Sequence, residues 1–184
     1  MTIMPLVIEP DPRLHIPSVN VPTVDDGVRA FVKDMFETMY ANDGLGLAAV
    51  QVGVHKKIIV IDVAQREGGN DPRVFINAEI VAKDETPRKF LEGCLSFPDQ
   101  FAEVERPDTV RVRYLDEKGV QHEIDADGLL ATCLQHEIDH TNGIVFTDHL
   151  SKLKREMIVK KLTKLKKLGM ISDMPHPKED NAAL

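Results

Sequence analysis

The run His136-Glu137-Ile138-Asp139-His140 places the tightest constraint on how this chain can fold. Residues four apart share one face of an α-helix, so His136 and His140 can hold a single ion only if this segment is helical. Glu137 then lies beside the shared axis. There it can take a proton from a water activated by the ion without filling a ligand position, which suits metal-assisted hydrolysis. The plainer alternative is a chance pattern on a polar helix, with both histidines facing solvent.

A catalytic ion takes three protein ligands and keeps a position open. Cys133 shares the helical face, but at ~1.5 Å rise per residue it stands about 7 to 8 Å along the axis from the midpoint of the histidines. A cysteine side chain does not bridge that distance. One large class of zinc proteases would put a third histidine at position 146, which is Phe146 here. Glu156 is a second candidate, although it would leave Cys94 without a role. Cys94 lies in Glu92-Gly93-Cys94-Leu95-Ser96-Phe97-Pro98, where the glycine before it and the proline after it suggest fixed irregular backbone rather than a core strand. A thiolate there would complete a His2Cys set; taken alone, Cys94 reads equally well as a small buried hydrophobe. The segment Gly44-Leu45-Gly46-Leu47-Ala48-Ala49-Val50-Gln51 is too rich in small residues for a good surface element, and its glycines permit close backbone approach. Gln51 could donate its amide to a developing oxyanion, or simply cap a local turn.

Around these segments the chain reads as α+β. Apolar residues at Val28, Phe31, Val32, Met35, Phe36 and Met39 predict a helix near 24 to 41, capped by Thr23 or Asp25 and stopped by Asn42, Asp43 and Gly44. Strands are expected over Lys57–Val63, Val74–Val81, Thr109–Leu115 and Val120–Ala126, mostly antiparallel, with a turn at Asp116–Gly119. Asp127-Gly128 interrupts this pattern before a helix at Leu129–His140. A third helix begins near Leu150, with Leu153, Met157, Ile158, Leu162, Leu165 and Leu168 assigned to one side and lysines to the other, and ends at Gly169.

The length of 184 residues suits one domain, assigned to 1–171, with a disordered tail at 172–184. Apolar residues at 42% and charged residues at 29% fit a globular chain, and no apolar run is long enough to span a bilayer. With no export signal and two cysteines too few for a disulfide framework, a cytoplasmic location is expected. Net charge is −7, yet Ser151–Gly169 alone carries about +7, leaving about −14 on the remainder.

Together, Gly44–Gln51, Glu92–Ser96 and Gln135–His140 resemble the three signature motifs of the peptide deformylase family, in the family's order. The resemblance extends over roughly Val7 to Leu168 and includes Asp11-Pro12-Arg13-Leu14, Ala126–Ala131 and a basic C-terminal helix like that of the bacterial type I branch. His15 departs from it, since arginine is expected there. The resemblance implies mostly antiparallel sheets surrounding a central metal-binding helix, with a further N-terminal helix and the C-terminal basic helix. It also implies removal of formate from the N-terminal formylmethionine of newly synthesised polypeptides. Cys94, His136 and His140 would bind the metal, Glu137 would move protons, and Gln51 with the Leu95 backbone N–H would stabilise the oxyanion. Leu45, Gly46, Glu92 and Leu95 would border the substrate, and Cys133 would line the methionine pocket. Fe(II) is the implied ion, with Zn, Ni or Co able to use the same ligands.

Two other readings use the same residues. A peptidase acting on internal bonds could employ the same helix motif, and the Lys-rich helix would suit a nucleic-acid-binding module with a structural metal. A milder expectation is an enzyme whose basic helix meets ribosomal RNA near the emerging chain. A monomer is expected because no strand edge or apolar helix face demands a partner.

Overall fold

The computed structural model describes residues 2–171, so the tail expected at 172–184 lies outside the described residues. Helix α1 spans Asp26–Ala41, and Asp25 rather than Thr23 caps it, its carboxylate accepting from the Val28 N–H at 2.9 Å. The buried stripe is Val28, Val32, Met35 and Met39. Past Asn42 the chain turns sharply through Asp43 at φ 54° and enters β1, Gly46–Ala48.

Strands β2 (Ile58–Ile61) and β3 (Arg73–Lys83) follow. Strands β4 (Pro87–Cys94) and β5 (Phe97–Pro107) form a hairpin of their own. Strands β6 (Thr109–Leu115) and β7 (Gln121–Asp127) then complete a five-stranded antiparallel sheet in the order β1-β2-β3-β6-β7. The expected irregular backbone at Glu92–Pro98 is corrected: Glu92-Gly93-Cys94 ends β4, and Phe97-Pro98 opens β5. The small-residue segment is likewise a short strand and a 3-10 turn, Ala49–Val52, with Leu47 to Gln51 buried.

Strand β2 is buried on both faces, which its unbroken run of β-branched residues predicts. Ile58 and Val60 face α1 and Phe146, whereas Ile59 and Ile61 face Leu134 and Ile138. Each such side chain contributes about 1.5–3 kcal/mol by leaving water. Helix α2 spans Gly128–Thr141 and packs on this second core through Ala131, Leu134 and Ile138. It follows β7 without a loop because Gly128 adopts φ 53°, the left-handed region that a side chain disfavours.

Helix α3 spans Lys152–Lys167 and stops before Gly169. Its expected apolar side holds only in part. Leu162 is buried and Ile158 and Leu165 are half-buried, while Leu153, Met157 and Leu168 are exposed. At 3.6 residues per turn, Leu153 points about 180° away from Leu162, so one packing face cannot take both. The premise that no apolar helix face is left open is therefore corrected.

Candidate active site

Helix α2 buries His136, Glu137 and His140, and the β4–β5 hairpin brings Cys94 to them. One ligand atom from each of Cys94, His136 and His140 lies within 4.8 Å of the others, and Cys94 Sγ is 3.2 Å from His140 Nε2. His136 Nδ1 is engaged by Glu92 Oε2 at 2.9 Å, which leaves Nε2 as its ligand atom. Phe146, at the position where another class would carry a histidine, stacks on the His136 ring at 6.1 Å and meets Phe97 edge-on at 4.9 Å. Glu156 is exposed on α3 and lies outside this cluster.

A buried ion pair fixes His136 in place. Arg106, 5% exposed, donates to both Glu92 oxygens at 2.6 and 3.0 Å and to Asp139 Oδ2 at 2.7 Å. Asp139 Oδ2 in turn meets His149 Nε2 at 2.7 Å. Burial would raise the Glu92 pKa, but hydrogen bonds from His136 and Arg106 hold it at about 2. Glu92 therefore stays an acceptor and orients the imidazole, as carboxylates behind metal-binding histidines do. Burial alone would lower the His136 pKa; the Cys94 and Glu92 contacts hold it well above its usual value, while burial and then the charge of His136 push His140 well below. One proton-holding and one neutral imidazole around a sulfur suit replacement of that proton by a cation.

Glu137 sits beside the three ligands with Oε2 buried and without a hydrogen-bond partner. Burial is the main cause that lifts its pKa to about 7, where a carboxyl group can both take and return a proton near neutrality. A Cβ added at Gly46 would fall 2.6 Å from Glu137 Oε1, so the glycine makes room for the carboxylate. Gly44 does the same for Leu95, whose Cδ1 would be 2.7 Å from a Cβ. Gln51, 1% exposed, accepts from the Ala48 N–H at 2.8 Å through Oε1 and directs Nε2 to Ser96 Oγ at 3.2 Å and Cys94 Sγ at 3.4 Å.

All the predicted site residues except His140 line one cavity of about 600 Å³. Cys133 is in its wall, and its thiol is pushed up to about 12 by burial and by Glu137 and Glu92, so it is neutral there. Sequence reasoning missed Arg106 and Asp139. Asp139 could have been suspected from its place inside the histidine motif, whereas Arg106 is one arginine among several on neighbouring strands. His15, the unexpected residue near the start, meets the buried Glu9 at 3.0 Å, away from the ligand cluster.

The sequence profile of the family described as polypeptide deformylase matches residues 3–156. The chain belongs to this family. It is 54% identical over 168 residues to the peptide deformylase of Rhizorhabdus wittichii, covering 88% of this chain and 95% of that one. To the peptide deformylase of Rhizobium meliloti it is 50% identical over 167 residues, covering 91% and 96%. Among solved structures, the deformylase of Ehrlichia chaffeensis in complex with actinonin superposes with a TM-score of 0.85 at 48% identity, covering 89% of this chain and 98% of that one. The deformylase of Legionella pneumophila gives 0.85 at 43% identity, covering 93% and 99%. The Cys94, His136 and His140 group fits a deformylase metal site.

Proposed function

We propose that this deformylase works with Cys94, His136 and His140 as metal ligands, Glu137 as the proton carrier, and Gln51 with the Leu95 backbone N–H as oxyanion donors. The chain is a metal-dependent hydrolase that removes the formyl group, as formate, from the N-terminal formylmethionine of new polypeptides. The observation that carries the assignment of roles is Glu137: buried, unpartnered at Oε2 and with a pKa of about 7, it stands beside the ligand cluster. A divalent ion held there would supply Lewis acidity and draw the pKa of a water towards neutrality. We assign Fe(II), with Zn, Ni or Co able to use the same ligands; a thiolate with two imidazoles suits all of them.

The protein's own groups do the rest. Glu137 takes a proton as the attacking water adds to the formyl carbon, then gives it to the methionine nitrogen as the C–N bond breaks. Gln51 Nε2 is already aimed at the Cys94 side of the cavity, where the carbonyl oxygen gains charge. Leu45, Gly46, Glu92 and Leu95 border the peptide; β1 is an edge strand, so backbone at Gly46 is available to it. Cys133, neutral and largely enclosed, forms wall for the methionine side chain.

Formate release should be measured with protein isolated without oxygen, its metal content read alongside, on formyl-Met-Ala and acetyl-Met-Ala peptides. Rapid release from the formyl peptide alone, with iron present, is the expected result, because a formyl carbon carries only hydrogen and the site wall excludes larger acyl groups. Equal cleavage of both would point to a broader amidase, and no release would defeat the deformylase reading.

We place the enzyme in the cytoplasm, where formylated chains emerge; no helix among the described residues is long and apolar enough to cross a membrane. As to a monomeric state, the exposed apolar residues of α3 instead suggest a surface used for contact. We propose that this surface meets the ribosome, since Leu153 and Met157 lie among the lysines of a basic helix. Ribosome co-sedimentation should fall when the chain is cut before Ser151; undiminished binding would reject it.

A further inference from the structure

Five side chains run in line from the surface to His136. His149 Nε2 meets Asp139 Oδ2 at 2.7 Å, and Arg106 Nη1 donates to the same oxygen at 2.7 Å. Arg106 also grips both oxygens of Glu92, and Glu92 Oε2 holds His136 Nδ1 at 2.9 Å. The side chains are 35% exposed at His149, 19% at Asp139 and 4% at Glu92, so His149 is the end that water reaches. A histidine beside a carboxylate at a protein surface is ordinarily a weak pair with little consequence. Two features set this one apart.

Asp139, a carboxylate gripped by a guanidinium, only accepts, so its Oδ2 takes one hydrogen from Arg106 and one from His149 Nε2. That oxygen is fixed from two directions. The second feature is the 3-10 turn that carries the histidine, Phe146–His149. Side chains three apart in a 3-10 turn fall on the same side, which is the relation of Phe146 to His149. Phe146 stacks on the His136 ring with the planes 22° apart, while His149 reaches the carboxylate three residues further along α2. One turn therefore supports His136 twice, directly through a ring and remotely through the hydrogen-bonded chain.

Taking His136 as a ligand, as proposed above, we infer that His149 is a positioning residue for the metal: acting through Asp139, Arg106 and Glu92, it keeps the His136 imidazole aimed at the ion and sets how firmly the site holds it. Without the His149 donor, Asp139 draws on Arg106 alone, and the guanidinium is pulled from Glu92 towards Asp139. The Glu92 contact to His136 then loses its alignment. Removing a carboxylate directly behind a metal-binding histidine costs about 10–100-fold in affinity, and His149 stands three links further out, so an effect of about 3–10-fold is expected.

The test uses protein loaded with Co(II), which reports its ligand geometry in its d–d absorption, and follows cobalt loss to an excess of chelator. His149→Phe keeps a ring but removes the donor, whereas His149→Gln keeps an N–H at similar reach. His149→Phe should release cobalt about 3–10-fold faster than wild type with its d–d bands moved, and His149→Gln should restore both to near wild type. Arg155→Met removes the 2.7 Å ion pair from Asp148 to α3, which steadies the same turn without touching Asp139, and should leave cobalt loss unchanged. An unaltered rate and spectrum in His149→Phe would overturn the inference. So would a glutamine variant as fast as the phenylalanine one, or an equally fast Arg155→Met, which would assign the effect to loosening of the turn. Wild type that does not retain cobalt would reject the ligand assignment and the inference together. Cobalt retained and released in the expected order, with no formate from formyl-Met-Ala, would uphold the role of His149 and reject only the deformylase reading.

Discussion

Glu137→Gln should lower formate release by about 10²–10⁴-fold, the range that general acid–base catalysis contributes, while the bound metal is retained. Glutamine keeps the shape that Gly46 accommodates but cannot carry a proton between water and amine. Activity and metal content measured on the same preparation separate this from a collapsed site. A variant within tenfold of wild type, with metal intact, would remove Glu137 from the proton path. The same substitution has a stability signature in chelated protein. Burial raises the Glu137 pKa from 4.5 to about 7, so the folded state is penalised for the charged form. That penalty is absent at low pH, grows as pH rises above the unfolded value and is complete above the folded one. The glutamine variant should therefore unfold at a higher temperature than wild type near pH 8 and lose the advantage towards pH 4.

Arg106→Met should be the most destabilising single change around the site. The guanidinium is 5% exposed and bonds both Glu92 and Asp139, so its removal strips the buried Glu92 and the partly buried Asp139 of their shared cation and leaves them only His136 and His149. Breaking a buried pair from one side costs about 3–5 kcal/mol. In a chain of this size each kcal/mol moves Tm by about 2–4 °C, so a fall of roughly 6–20 °C in thermal unfolding is expected. Metal affinity should also drop by about 10–100-fold, because Glu92 no longer holds His136 in one orientation. Adding Glu92→Gln to Arg106→Met should recover part of the lost stability while metal affinity stays low. A single variant that melts within about 2 °C of wild type, well below the 3–5 kcal/mol expected, would show that the ion pair does not hold the fold.

The histidine helix, α1 and strands β2, β3, β6 and β7 were legible because periodicity reports directly on which face is buried, and spacing alone paired His136 with His140; Cys94 joined them only through the resemblance of its segment. Strands β4 and β5 were not. Their inner face buries Glu92, Gln100 and Arg106 alongside Phe97 and Val104, so polar residues break the apolar pattern, and Pro87, Pro98 and Pro107 lie within them. The only readable alternation is the short stretch Ala102-Glu103-Val104-Glu105, and the ionic partners that complete the inner face, Glu92 with Arg106 and Arg106 with Asp139, leave no periodic trace. Arg106 was hidden for the same reason: its value lies in Glu92 and Asp139, 14 and 33 residues away. On α3 the spacing gave the helix but not its orientation, because apolar residues run around more of its circumference than one contact covers.

Cys94, His136 and His140 come from two separately built pieces, a hairpin and a helix, with Cys94 and His140 46 positions apart. An ion joining them acts as a staple across a long loop, and losing it would ordinarily release that loop. Here Arg106 already ties the hairpin to the helix through Glu92 and Asp139, independently of any metal. Because this tie runs through a guanidinium and two carboxylates rather than through Cys94, His136 or His140, it holds the two pieces in register from outside the ligand cluster, as a clasp set behind a clasp.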